Sequence, residues 1–147
     1  MKNHPRWGVS LAAALLSMIM PSSADSVART WNEQNLAAVR LSFPDPPVHA
    51  RNLFHVSVAM YDAWAAYDSE ATGYLFRENV IATGDVEAAR REAVSHAAYQ
   101  VLRHRYIAVR HPNTPLANAL QVQNELRELM ISCLLYTSDA ADEKVRG

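Results

Sequence analysis

Two proline-marked breaks constrain this chain more than any other feature. SFPDPP at 42–47 and HPNTP at 111–115 cannot lie inside a helix, because each proline removes a backbone donor and its ring clashes with the turn before it. Each break also carries a helix start. Asp45 stands as an N-cap with Pro46 at the first helical position, and Thr114 with Pro115 repeats the arrangement.

The segments around these breaks have helical periodicity. Val27, Trp31, Leu36 and Val39 lie near one side of 27–40, VARTWNEQNLAAVR. The second segment runs from Pro46 to about Tyr67 and ends near Gly73. The connection 69–84, with Gly73 and Gly84 as punctuation and Tyr74, Leu75 and Phe76 as an apolar run, reads as loop. A third helix is expected over 85–109, with Asp85 and Glu87 at the positive end of its dipole and Arg103, Arg105 and Arg110 toward the negative end. The fourth begins at Pro115, with Leu116, Leu120, Leu126, Leu129 and Met130 as its apolar side. No repeat, low-complexity tract or strand-like alternation occurs. The expected fold class is all-α, a partial bundle of about four helices.

Ionisable residues interrupt the second helix. At 100° per residue, Arg51, His55, Val58 and Asp62 form one narrow stripe. The opposite arc holds Leu53, Val56, Met60, Tyr61, Trp64 and Tyr67, while Ala59, Ala63 and Ala66 on the flank permit close approach of a neighbour. Asp68 falls at the C-terminal end, where its side chain is expected to satisfy turn backbone. On the third helix Glu92, His96 and Arg103 share a side, opposite Val94, Ala97, Ala98, Val101 and Leu102. Three readings compete for these stripes. The preferred one is a solvated face with ion pairs each worth about 0.3–0.5 kcal/mol. The second is a buried polar network docked against a part of the protein that lies outside this sequence. The third is a metal or catalytic site, since Glu92 with His96 and His55 with Asp62 could supply carboxylate and imidazole ligands from two helices. Without a repeated Glu-x-x-His signature, that pattern arises readily by chance.

Other chemistry finds little support. His49, His104 and His111 sit at helix ends and turns and are expected to be solvated. Ser57 and Ser95 lack the glycines of a nucleophile elbow, and no glycine loop for phosphate is present. No catalytic, cofactor-binding or metal-binding residue is assigned.

The chain has 147 residues with a net charge of -1, which gives no attraction to nucleic acid or to an anionic membrane. MKNHPRW, the 13-residue apolar run GVSLAAALLSMIM and the small residues that follow read as a signal peptide over 1–24, with cleavage after Ala24. The run falls short of the about 20 residues of a spanning helix, so no stable membrane anchor is expected. The expected location is periplasmic or extracellular. The final stretch, CLLYTSDAADEKVRG, resembles translated sequencing-adaptor read-through, so 132–147 is set apart from fold reasoning as a non-native tail. Residues 25–131 then form the helical region, with ten arginines, twelve acids and no cysteine. That composition offers no disulfide, thiol nucleophile or thiolate metal site.

Three blocks in order, WNEQNLAAVR, PPVHARNLFHVSVAMYDAWAAYD and REAVSHAAYQVLRHRY, resemble the N-terminal helical region of exported bacterial vanadium-dependent haloperoxidase-like proteins. That superfamily also contains the type 2 phosphatidic acid phosphatases. The resemblance covers about residues 29–131 and is one of scaffold. It implies a longer parent in which vanadate, held by a histidine, binds peroxide and transfers oxygen to halide. In the phosphatases the corresponding histidine attacks a phosphate ester. The family assembles that site from a lysine followed by Arg-Pro, a Pro-Ser-Gly-His stretch and a Ser-Arg followed by histidine, which together neutralise an oxyanion. None of these occurs in 25–147, and Lys144 belongs to the tail. The resemblance therefore implies a non-catalytic piece that binds no vanadate itself and packs against a C-terminal catalytic helical domain. Self-association into a homo-oligomer stays open. The alternatives are the phosphatase-like hydrolase on the same scaffold and a helical binding module without catalysis.

Overall fold

The structure, a computed structural model, describes the backbone of residues 26–146 and the side chains of residues 26–135. The expected leader lies outside the described residues. Four α-helices and no strand make up the described chain, so the protein is all-α.

Helix α1 spans Val27–Leu41 and starts where Ser26 Oγ accepts from Arg29 N at 3.2 Å. It stops at Ser42, whose backbone N–H donates to Val39 O and whose hydroxyl donates to Ala38 O, just before Pro44. Helix α2, Pro46–Ala65, is capped by Asp45, whose carboxylate accepts from Val48 N, with prolines in its first turn as expected. Helix α3, Val86–Arg103, begins at Asp85, which accepts from Glu87 N at 3.0 Å. The last residues of the expected 85–109 helix differ. His104–Ala108 form a π turn, closed by Val109 N donating to His104 O. The wider turn leaves Tyr106 on the buried side and Arg105 toward α2.

Helix α4, Leu116–Arg146, continues without a break through the segment set apart from 132 onward, and Cys133 and Leu134 pack partly against the core. Its start differs from expectation. The Thr114 hydroxyl accepts from Phe43 N at 3.0 Å, tying the α1–α2 connection to the base of α4. The buried line of α4 is Ala119, Val122, Leu126 and Met130, whereas Leu116 and Leu120 are exposed. At 100° per residue those two leucines point roughly 60–100° away from the line that α1 and α3 cover.

Helices α1 and α3 each touch the other three, and α2 and α4 flank them. The core at their junction contains Trp31, Val56, Met60, Val94, Ala98, Leu102, Val122 and Leu126. Alanines let α2 and α3 approach closely, so the buried face of α2 is Asn52, Val56 and Met60 with Ala59 and Ala63 beside them. Tyr61 and Trp64, expected inside, are more than a third exposed. Polar links fix the ends: Asn118 Nδ2 donates to Leu41 O at 2.8 Å, and Gln34 Nε2 donates to Glu125 Oε2 at 2.9 Å.

Leu102 is fully buried where α3 meets its neighbours. Leu102→Ala is expected to lower unfolding free energy by about 2–5 kcal/mol, as measured by urea denaturation.

Candidate functional site

The stripe on α2 is solvated at Arg51 but closes over at its other end, through half-buried His55 and Val58 to buried Asp62. Asp62 is 6% exposed, and its carboxylate accepts three successive backbone N–H groups: Tyr74 at 2.5 Å, Leu75 at 2.9 Å and Phe76 at 3.0 Å. The polar residue therefore docks the chain's own connection onto α2. Burial pushes the Asp62 carboxyl up, but the amides of Phe76, Leu75 and Tyr74, helped by the charge of Arg77, hold it below the usual carboxylate range. Gly73 makes the close turn possible, because a Cβ there would lie 1.8 Å from Phe76 O.

The rest of the connection is fixed at its base. Asp68 Oδ1 accepts from Glu70 N and Ala71 N, fulfilling its expected turn role, and these amides together with Arg90 lower its pKa. Arg90 on α3 donates to Tyr67 O and Asp68 Oδ2, both at 2.9 Å, pairs with Glu87 at 2.6 Å and lies 5.2 Å over the Trp64 ring. It thereby satisfies a carbonyl just beyond the end of α2. Tyr61 reaches across to donate to Thr72 O at 3.1 Å.

Once docked, the connection forms one wall of a groove of about 720 Å³. Val58, Ala59 and Ala63 of α2 form its floor, Tyr74 to Phe76 one side, and Gln100, Val101 and His104 the other. At its polar end an Arg105 terminal nitrogen bonds His55 Nδ1. Desolvation, then the charges of Arg105 and Arg51, push the His55 pKa below its ordinary 6.5, so the ring is neutral at pH 7 and its Nδ1 accepts. A neutral imidazole bonded to a guanidinium at the end of an apolar groove suits binding and orientation.

A separate polar chain crosses the core. Tyr106 donates to Asn35 Oδ1 at 2.8 Å and also bonds the Asn52 side chain; its burial pushes the phenol pKa up. Periodicity gave Asn35 a place one turn after Trp31 on the buried side of α1, a signal that polarity obscured.

The other candidates have ordinary positions. Glu92, His96 and Arg103 form the expected exposed face of α3, with His96 Nε2 3.7 Å from Glu92. His55 and Asp62 instead face the connection and the end of α3, and among the described residues no three His, Cys, Asp or Glu side chains converge as a metal set. His104 is exposed. His49 and His111 are not freely solvated: His49 Nε2 lies 3.1 Å from Phe43 O, while His111 stacks on Phe43 at 4.3 Å and accepts from Asn113 N. Ser95 is buried, with no hydrogen-bond partner for its hydroxyl among the described residues, and Ser57 is exposed.

No protein-family model, curated protein or solved structure matches the chain. Among the described residues no helix is long and apolar enough to cross a membrane.

Asp62→Ala strips three amides of their acceptor and is expected to cost on the order of 3 kcal/mol. Hydrogen exchange at Tyr74, Leu75 and Phe76 should speed up well before global unfolding. Because the folded Asp62 pKa is depressed, its contribution is full above the unfolded carboxylate pKa and is lost as pH falls through the lower folded value. The acid limb of a stability-against-pH curve should therefore flatten in Asp62→Asn. His55 carries the same sign: with its pKa lowered, stability falls as pH drops below about 6.5, and His55→Gln should remove that part of the slope.

Proposed function

We propose that the chain is the non-catalytic N-terminal helical part of an exported vanadium-dependent haloperoxidase-like oxidoreductase. In this reading it presents a preformed apolar surface to the catalytic helical body of the longer parent. One observation carries the docking role: Leu75 is 77% and Ile81 93% exposed on a connection that Asp62, Asp68 and Arg90 hold in place, beside exposed Phe54, Tyr61 and Trp64. Apolar side chains displayed on a fixed support suit burial against a partner. The three sequence blocks supply the family assignment, and the catalytic lysine, histidine and arginine motifs of that family belong to the parent.

The purified chain is expected to bind a hydrophobic dye or self-associate, and Leu75→Ser with Ile81→Ser should reduce both while leaving helical circular dichroism unchanged. A monodisperse, dye-silent monomer that melts cooperatively would count against the docking role. Bromide oxidation by the chain with vanadate and peroxide would overturn the non-catalytic assignment. Halide oxidation or phosphoester hydrolysis by the longer gene product separates the peroxidase from its phosphatase-like alternative.

The apolar groove favours a second reading, a helical binding module without catalysis. That reading expects saturable binding of an apolar small molecule that Val58→Asp abolishes.

A further inference from the structure

The groove beside α2 is apolar along its length and charged at one end. From His55 to Ala63, roughly 12 Å of helix axis, Val58, Ala59 and Ala63 run opposite Leu75, Phe76 and Val101, and none of these side chains bears a charge. The volume of about 720 Å³ lies in the range of small-molecule sites. Asp62 is the one acid in the lining, and its carboxylate is already held by the amides of Tyr74, Leu75 and Phe76. It stands roughly two helical turns from His55.

The His55 end carries donors and positive charge. Arg105 makes no ion pair with a carboxylate among the described residues, and it gives one N–H to His55 Nδ1 while its guanidinium carries others. That bond also fixes the imidazole tautomer. With Nδ1 accepting, the neutral ring holds its proton on Nε2, so a second donor stands beside the first. His55 is only half-buried, and its Nε2–H has no acceptor among the described residues. Behind Arg105, Arg51 and Arg110 border a smaller recess whose one acid, Asp45, caps α2. The local charge at this end is therefore positive, and a planar guanidinium beside an imidazole N–H matches the two oxygens of a carboxylate.

We propose that the groove binds a straight-chain monocarboxylate, its head received by Arg105 and the His55 Nε2–H and its alkyl chain lying along Val58, Ala59 and Ala63. Charge sets the direction, because the head then lies at the cationic end and away from Asp62. The proposal rests on the binding-module reading and names the ligand that the groove takes.

NMR titration of the purified chain with decanoate, decan-1-ol and decylammonium, each below its micellar concentration at neutral pH, tests it. Decanoate is expected to bind saturably at one site. Decan-1-ol, with the same chain and no charge, should bind at least about tenfold more weakly, and decylammonium more weakly still. Arg105→Gln should remove the preference for decanoate over decan-1-ol while leaving the affinity for the alcohol unchanged. A second readout uses the parent chain alone: decanoate should shift the imidazole resonances of His55 and leave those of His96, on the exposed face of α3, in place. Equal binding of all three compounds would overturn the role of Arg105 and His55 while the binding-module reading stands. Decanoate that binds without moving His55 would overturn the placement of the head. Failure of decanoate and decan-1-ol alike to bind would overturn both the proposal and the reading beneath it.

Discussion

The buried Asp62 carboxylate shares its two oxygens among the amides of Tyr74, Leu75 and Phe76. Twenty residues separate the end of α2 from the start of α3, and a connection of that length has a large conformational entropy to lose. A charged acceptor with three donors opposes that loss in the middle of the segment, while Asp68 and Arg90 act at its base. The groove wall and the exposed Leu75 depend on this anchor. Without it, the same apolar residues would belong to a fluctuating loop and could not form a surface of fixed shape.

The helical framework was legible because its signals are local. Asp45 and Asp85 open the second and third helices, and Pro44, Pro46 and Pro47 separate the first from the second. The exposed stripe of Glu92, His96 and Arg103 followed from periodicity alone. The parts that escaped were set by tertiary partners. Asp62 looked solvent-facing because its partners are backbone amides 12 to 14 residues later, which carry no side-chain signature. Tyr61 and Trp64 looked like core because helical spacing gives the width of an apolar arc, while the position of α3 decides which part is covered. The same ambiguity placed Leu116 and Leu120 inside α4, where Ala119 and Val122 proved to be the packed residues.

Polar groups in the middle of the bundle have a different basis. Asn35, Tyr106 and Asn52 link α1, the π turn and α2 through directional bonds at a point where apolar contact alone would allow helices to slide. Such a chain favours one register over its neighbours, because a shift by one residue breaks two hydrogen bonds between buried groups. Trp31 and Leu102 supply packing beside it, but neither prescribes a register with comparable sharpness.

The π turn at His104–Ala108 is geometrically an α-helical turn carrying one additional residue. That addition uncouples the rotation of the chain before it from the rotation after it. Leu102 can keep its seat while Arg105 stands as a partition, with an imidazole and a greasy trough on one side and a cationic hollow on the other. The groove and the hollow thus share one side chain as their common wall.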